Sequence, residues 1–335
     1  MVVSIKVHCL ISCFCEIIKR RSKADFRPYY FGVWDSSFQI VDKMHITYFA
    51  DDIKFSFYRE WYEKFFGLHV HEWYDSSLSR ESNINQLLDL LETKPEERYI
   101  IVHLDMSLIP ERENKFNQKP FPHFLMISKT EKEDEWFMFD PDFRWEGNVK
   151  KEHVINAIRN NLYGGGFYID AKNVKAPTYE VITTFFYQTF KREENELTSM
   201  VKDIVEQVVE EKEGFAISDL MPAFKQLNIL AIRKYSYDYA LLYFRDFLDL
   251  SEENYEYWAQ QIRDLVQGYE TVRYLAVKAS MTGKREVLSQ LLKQTEKIDV
   301  IERGLKIEIE RQFLLWREVT SQSHLTQTPD LVYEQ

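Results

Sequence analysis

The stretch FPHFLMISKTEKEDEWFMFDP, residues 121–141, decides the fold class of the first half of this chain. Two apolar runs, 121–129 and 135–141, flank the polar apex 130–134. Apolar runs of this length around a short polar apex are typical of a β-hairpin. The sequence therefore predicts two antiparallel strands here, and with them a domain that contains a sheet.

The predicted hairpin brings a histidine and an aspartate together. A turn centred between Glu131 and Lys132 places His123 directly opposite Asp140. Directly opposed residues on antiparallel strands have Cβ atoms about 4.5–5.5 Å apart. A carboxylate at that distance can accept a hydrogen bond from one imidazole nitrogen and leave the other nitrogen for a third group.

The rest of the first half mixes strands and helices. Apolar periodicity predicts a short strand over 2–7, a helix from about Cys9 to Lys19, a helix over 83–92 and a buried strand over 99–105. The glycine run 164–166 fits neither a phosphate-binding loop nor a dinucleotide fingerprint, so we interpret it as a loop or turn.

From about Pro177 the strand patterns disappear and long helical periods follow one another. These periods cover 178–192, 196–212, 218–227, 236–249, 252–280 and 284–319. The sequence therefore predicts an α+β chain with a catalytic domain over 1–175. An all-helical domain for substrate or partner binding follows over 176–320, with a flexible polar tail over 321–335.

Composition narrows the class of protein. The net charge of −11 argues against a general nucleic-acid binder, which needs a basic face. No apolar run approaches the roughly 20 residues that span a bilayer. The three cysteines crowd between positions 9 and 15, which no secreted disulfide framework would show. We expect reduced thiols and a cytoplasmic protein.

Cys9 is the candidate nucleophile. It lies where the predicted strand passes into a helix, and a helix N-terminus is one of the placements that favour the thiolate form. Together with a histidine held by an aspartate, this thiol forms the constellation of nucleophile, base and orienting acid. The sequence therefore predicts a catalytic triad of Cys9, His123 and Asp140.

The same residues allow other interpretations. A zinc site of His8, Cys9, Cys13 and Cys15 fits poorly, because Cys13 and Cys15 point to nearly opposite sides of a helix. We therefore predict no metal, and interpret Cys13 and Cys15 as small buried apolar residues. A cysteine peptidase or amidase would use the same triad. A non-catalytic scaffold of a biosynthetic assembly would not need Cys9 at all.

The order of Cys9, the run 123–127 and the triplet 139–141 resembles papain-like proteins of the bacteriocin-processing peptidase type. The first half is also similar to the acyltransferases of the butirosin pathway, whose catalytic domain begins with a His-Cys pair like that at positions 8 and 9. This resemblance implies a papain-like fold for 1–175. One departure is that residues 2–8 lack the glutamine that helps papain-like proteases to hold the oxyanion.

Several longer sequence segments, spread along almost the whole chain, resemble petrobactin siderophore biosynthesis proteins. These segments are SIKVHCL at 4–10, SCFCEIIKRR at 12–21, ERENKF at 111–116, QKPFPH at 118–123, DPDFRWEG at 140–147 and AIRKYSY at 231–237. The resemblance implies transfer of a 3,4-dihydroxybenzoyl group from an aryl carrier protein to a primary amine of spermidine or of a citryl-spermidine intermediate. No cofactor is then bound, because phosphopantetheine arrives on the carrier.

Two further sets of residues follow from those expected partners. A polycationic acceptor favours carboxylates and aromatic faces, and Asp142, Trp145 and Glu146 are the candidates beside Asp140. An acidic carrier protein favours a basic docking patch, for which the candidates are Lys19, Arg20, Arg21 and Lys23. The long amphipathic helices near the C-terminus also make a homodimer plausible.

Overall fold

The computed structural model describes residues 7–49, 55–114 and 116–326, with side chains as far as residue 322. These residues form two compact units. The sheet unit comprises the described residues of 1–29, 37–39 and 47–178. The helical unit comprises those of 30–36, 40–46 and 179–335. Two short segments from the first fifty residues therefore belong with the helices of the second half.

The sheet unit is built on a six-stranded sheet. Its strands are β3 (His71–Glu72), β4 (Arg98–Asp105), β5 (Pro122–Lys129), β6 (Glu135–Asp140), β7 (Trp145–Lys150) and β8 (Gly166–Asp170). Their order is β3-β8-β4-β5-β6-β7, and each pair of neighbours is antiparallel. A separate two-stranded sheet is formed by β1 (Gln39–Val41) and β2 (His45–Thr47).

The helices of the sheet unit are α1 (Cys9–Arg21), α2 (Ser56–Phe66), α3 (Arg80–Glu92) and α4 (Lys151–Arg159). Helix α1 is almost entirely buried from Leu10 to Ile18 and packs against β5. Basic residues fill its last turn, where cations complement the negative end of the helix dipole. The predicted helix from Cys9 to Lys19 is therefore confirmed. Of the strand predicted over 2–7, residues 2–6 lie outside the described residues, and Val7 is not in a strand.

The hairpin of β5 and β6 is confirmed, but its predicted register is wrong. Ile127 pairs with Met138, and Met126 with Phe139. Continuing this register places Leu125, not His123, opposite Asp140. The shift is two residues, and side chains alternate between the faces of a sheet with a period of two. His123 and Asp140 therefore keep their faces and become diagonal neighbours.

The helical unit contains the helices of the second half. They are α5 (Tyr179–Thr189), α6 (Glu196–Val209), α7 (Leu220–Ala223), α8 (Leu227–Ala231), α9 (Ser236–Leu248), α10 (Glu252–Thr282) and α11 (Arg285–Thr326). Helices α10 and α11 pack along each other, and the core between the helices is rich in buried Leu, Ile, Val and aromatic side chains. The mixed first half and helical second half agree with the predicted fold class.

Three details differ from the sequence analysis. The single helix predicted over 218–227 is a 3₁₀ turn at Ile217–Asp219 followed by the short helices α7 and α8. Helix α11 runs to Thr326, into the segment 321–335 predicted to be a flexible tail. The last glycine of the run 164–166 is the first residue of strand β8 and not part of a loop. Glycine is required at this position because a side chain there would collide with the Trp73 ring.

None of the helices in the described ranges is both long enough and apolar enough to cross a membrane.

Candidate active site

Cys9 is the first residue of helix α1, and its side chain is half-buried. The preceding residue, His8, is in extended conformation, its side chain makes no capping hydrogen bond, and the first turn contains no acidic residue. The first N–H groups of a helix have no partner within the helix. Cys9 therefore lies at the positive end of α1, where backbone N–H groups can stabilise negative charge.

His123 lies between the thiol and a carboxylate. Its Nε2 donates to Oδ2 of Asp140 at 3.0 Å, and Cys9 lies close enough to the ring to affect the pKa of His123. Because Nε2 faces the carboxylate, Nδ1 is the nitrogen that remains for the thiol. His123 and Asp140 are both buried. The structure thus brings together the three residues predicted from the sequence, in the predicted order.

The charges of this group favour a protonated imidazole. Burial lowers the pKa of His123, but Asp140 and a thiolate at Cys9 outweigh it and raise that pKa to about 10. Burial also opposes ionisation of Asp140, yet His123 and Arg112 hold the pKa of this carboxyl below its usual value. The imidazolium form of His123 is therefore compatible with its buried surroundings.

Arg112 is a fourth member of the site that the sequence analysis missed. Its Nη2 lies 2.8 Å from Oδ2 of Asp140, the same oxygen that accepts from His123. Its guanidinium lies 4.6 Å from the centre of the Phe143 ring. Arg112 lies outside regular secondary structure, where no periodicity could single it out. The one feature of the sequence that pointed to Arg112 is that it belongs to the segment ERENKF at 111–116, which resembles petrobactin biosynthesis proteins.

Asp142 supports the start of helix α1. It is buried, and its Oδ1 accepts hydrogen bonds from the Val7 N–H at 2.8 Å and from the Ser12 hydroxyl at 3.0 Å. Burial and the nearby Asp140 raise the pKa of this carboxyl. The loop after β6 therefore ties the chain on both sides of Cys9 to the strand end that carries Asp140.

Comparison with protein families covers nearly the whole chain. Residues 4–174 match the DUF6005 N-terminal domain, and residues 180–330 match the DUF6005 C-terminal domain. The chain belongs to the DUF6005 family. It is also 51% identical over 318 residues to a protein of Bacillus anthracis named petrobactin synthase, which covers 95% of this chain and 97% of that relative. This confirms the resemblance to petrobactin biosynthesis proteins that the longer sequence segments indicated.

In this DUF6005 protein the three residues predicted to bind a polyamine do not share one surface. Asp142 is buried and hydrogen-bonded to the chain around Cys9. Trp145 and Glu146 are successive residues of β7, whose side chains point to opposite faces of the sheet. Trp145 lies near the Arg112 guanidinium, whereas Glu146 is exposed.

The basic residues predicted to dock a carrier protein lie at the far end of α1 from Cys9. The rise of an α-helix gives about 18 Å between Cys9 and Arg21. Lys19 and Arg20 both pair with Glu16, and Arg21 lies over the Tyr99 ring. Lys23 is exposed just beyond the helix.

The other two cysteines are different in kind from Cys9. Cys13 and Cys15 are fully buried, and none of the three, all of which the structure describes, forms a disulfide. The Cys13 thiol points to the Phe124 carbonyl oxygen at 3.8 Å, and burial raises its pKa well above the usual value. Within the described ranges, no group of three or more His, Cys, Asp or Glu side chains could hold a metal ion.

Proposed function

We propose that this protein is a cysteine-dependent N-acyltransferase of petrobactin biosynthesis. In this proposal it moves a 3,4-dihydroxybenzoyl group from the phosphopantetheine thioester of an aryl carrier protein to a primary amine of spermidine or of a citryl-spermidine intermediate. The observation that supports the chemistry is the placement of Cys9 at the start of α1 and close to His123, whose ring is hydrogen-bonded to Asp140. The pathway is supported by the relative named petrobactin synthase.

The first step forms a thioester on the enzyme. The Cys9 thiolate attacks the carbonyl carbon of the carrier-bound thioester, and the bond from that carbon to the carrier's sulfur breaks. The His123 imidazolium gives its proton to the departing sulfur, which leaves as a thiol. The acyl group is then held on Cys9, and His123 is neutral.

The second step forms the amide. The amine nitrogen of the acceptor attacks the acyl carbon while neutral His123 takes a proton from that nitrogen. The bond to the Cys9 sulfur breaks, and the thiolate and imidazolium of the free enzyme are restored. Asp140 orients His123 in both steps.

The oxyanion of each tetrahedral intermediate needs hydrogen-bond donors. In this proposal the backbone N–H of Cys9, at the start of α1, is one of these donors. Residues 2–8 lack the glutamine that helps papain-like proteases to hold the oxyanion. An acyltransferase can do without it more easily than a peptidase, because a thioester is already activated for attack.

The decisive experiment is a turnover assay that combines loaded aryl carrier protein with spermidine. Wild-type protein should form the amide, and Cys9→Ala should not. Cys13→Ala, which removes a buried thiol of the same helix, is the matched control and should retain activity. Hydrolysis of peptide or amide substrates without carrier or amine would favour a peptidase or amidase. Undiminished transfer by Cys9→Ala would favour a scaffold.

Mass spectrometry can separate covalent from direct transfer. Wild-type protein mixed with loaded carrier, but without amine, should gain one dihydroxybenzoyl group on the peptide that contains Cys9. A competent reaction in which no adduct ever forms would show that His123 instead deprotonates the amine for direct attack on the carrier thioester.

The remaining parts of the proposal concern partners and domains. The papain-like domain over 1–175 carries the chemistry, the helical domain over 176–320 binds substrate or partner, and Lys19, Arg20, Arg21 and Lys23 dock the carrier. The three cysteines without a disulfide favour the cytoplasm as the site of the reaction. Charge reversal at Lys23, the exposed member of the docking set, should raise KM for the carrier with little change in kcat.

A further inference from the structure

One carboxylate oxygen at the site serves two cationic partners. Oδ2 of Asp140 lies 3.0 Å from His123 Nε2 and 2.8 Å from Arg112 Nη2. The side chains of Asp140, Arg112 and His123 are no more than 5% exposed, so water screens these charges little. Arg112 also stacks on Phe143, which packs against the His123 ring at 5.2 Å. Phe143 thus contacts both the guanidinium and the imidazole, and Asp140 binds both.

We propose that Arg112 is a positioning residue that acts on His123 through Asp140 and keeps the net charge of the buried Cys9–His123–Asp140–Arg112 group at zero in each state of the reaction. The proposal rests on the proposed function of Cys9 as nucleophile. Arg112 acts through Asp140 and does not need to touch substrate.

The charge balance can be followed through the reaction. In the ion-pair state the thiolate and the imidazolium cancel, and Asp140 and Arg112 cancel. In the acyl-enzyme, Cys9 and His123 are both neutral, and Asp140 and Arg112 still cancel. Without Arg112, each of these states would bury a net negative charge without a compensating partner, which is unfavourable. Arg112 therefore keeps the net charge of the group at zero in both states.

Several groups face His123, and the direction of the effect depends on all of them. Cys9 in its thiolate form, Asp140 and Asp142 favour the imidazolium, whereas burial opposes it. Burial holds the pKa of His103, a neighbour on β4, at about 3, so that ring remains neutral. Arg112 disfavours the imidazolium because it is a like charge and because it partly neutralises Asp140.

The sign of the Arg112 effect follows from these groups. If Arg112 is replaced by a neutral residue, the unshared Asp140 binds the proton of the His123–Asp140 pair more tightly. The pKa of His123 then rises. An acyl-enzyme with this change contains less neutral imidazole at pH 7.5, and removal of the proton from the amine slows.

The first test is independent of catalysis. His123 is titrated by NMR of labelled histidine in protein carrying Cys9→Ala, where no thiolate contributes to its pKa. Adding Arg112→Met should raise the pKa of His123 by about one unit or more. Arg112→Lys, which keeps the charge, should leave it within a few tenths of a unit. Arg144→Met removes an exposed arginine from the neighbouring loop and should change nothing.

The second test uses the enzyme with its thiol. In single-turnover transfer from acylated Cys9 to amine, Arg112→Met should move the rate–pH profile upward by about one unit, with roughly tenfold slower transfer at pH 7.5. Arg112→Lys should keep the wild-type profile with a moderately lower plateau, because lysine lacks the planar guanidinium. The double variant Arg112→Met, Asp140→Asn removes both charges and should move the profile back down.

The outcomes separate the possible failures. Equal rate losses in Arg112→Met and Arg112→Lys, without a shift of the profile or of the His123 pKa, would show a purely structural role and overturn the inference. If Arg112→Met does not fold, the double variant, which leaves no unpaired charge, and Arg112→Lys still decide the question. If the protein proves not to transfer acyl groups, the NMR comparison still tests the charge relation, and only the proposed function is lost.

Discussion

The two units each bury a group of charged side chains, and the two groups differ in what they can do. In the helical unit, Lys306 Nζ lies 2.7 Å from Asp35 Oδ2, and Lys234 Nζ lies 2.5 Å from Glu302 Oε1. All four side chains are at most 2% exposed. In the sheet unit, Arg112 and His123 share Asp140, but the chain of contacts ends at a half-buried thiol.

The difference lies in proton exchange and access. Burial lowers the pKa of Lys234, but Glu302 and other neighbours outweigh it and raise that pKa, so this lysine keeps its charge near neutral pH. Cys9 and His123 are the types of group that can exchange a proton near neutral pH, and Cys9 is only half-buried. Burial of charge alone therefore does not mark a functional site. We expect the helical group to govern stability and the sheet-unit group to govern activity.

The largest expected effect comes from Cys9. Cys9→Ala removes the proposed nucleophile and should lower kcat by about 10⁴-fold or more, as loss of a triad member does. The free energy of unfolding should change by less than about 1 kcal/mol, because the side chain is small and only half-buried. Parallel turnover assays and urea titrations check both statements. A large loss of stability would break the contrast between the two units.

Asp140 should come next. Asp140→Asn removes the charge that orients His123 and should lower kcat by about 10³–10⁴-fold. Because Asp140 raises the pKa of His123, its loss should also move the basic limb of the kcat/KM profile to lower pH. A pH series with loaded carrier measures both. If activity falls while the basic limb stays in place, Asp140 acts by position rather than by charge.

Lys306 tests the other side of the comparison. Lys306→Met leaves Asp35 buried with one cationic partner fewer and should lower the free energy of unfolding by about 3–5 kcal/mol. The kcat of the remaining folded protein should be unchanged. Urea titration measures the free energy of unfolding. Alkylation of the Cys9 thiol counts the active sites, so that kcat can be expressed per folded molecule. Lys297→Met, at an exposed position of the same helix, is the matched control and should leave the unfolding midpoint in place.

Sequence alone predicted the elements whose signal is local. The apolar periods gave α1, the hairpin strands and most of the long helices within a few residues of their observed bounds. The hairpin register was wrong because a five-residue apex does not define its own turn type. In the structure the Thr130 hydroxyl bonds to the carbonyl oxygens of Lys132 and Glu135 and shapes that turn. The error of two residues kept His123 and Asp140 on their faces, so the predicted contact survived.

Features that depend on tertiary contacts were not predictable in this way. Residues 30–36 join the helical unit because Tyr30 stacks on Tyr239 at 4.0 Å and Trp34 stacks on Tyr237 at 4.4 Å. The local sequence of 30–36 does not indicate that these aromatic residues pack against Tyr239 and Tyr237, which lie about 200 residues further along the chain. Arg112 was missed for the same reason, because its role exists only where the chain brings it to Asp140.

The smallest expected effect concerns Asp238, a buried carboxyl of α9 that lies outside both groups. Burial raises its pKa to about 6, although it accepts a hydrogen bond from the Tyr255 hydroxyl at 2.8 Å. Because this pKa lies above that of an unfolded aspartate, the folded state binds the proton more tightly. Its contribution to stability is therefore complete below about pH 4 and is lost as the pH rises through about 6.

Asp238→Asn keeps an acceptor for Tyr255 and removes the charge. It should raise the free energy of unfolding at pH 7.5 by about 2 kcal/mol and abolish the fall in stability between about pH 4 and 6. Urea titrations across that range provide the measurement, with exposed Asp203→Asn as the control. Since Asp238 belongs to the helical unit, kcat should not change. A change in kcat at equal stability would show that the helical unit takes a direct part in the reaction. It would contradict the expectation that activity depends on the buried charges of the sheet unit alone.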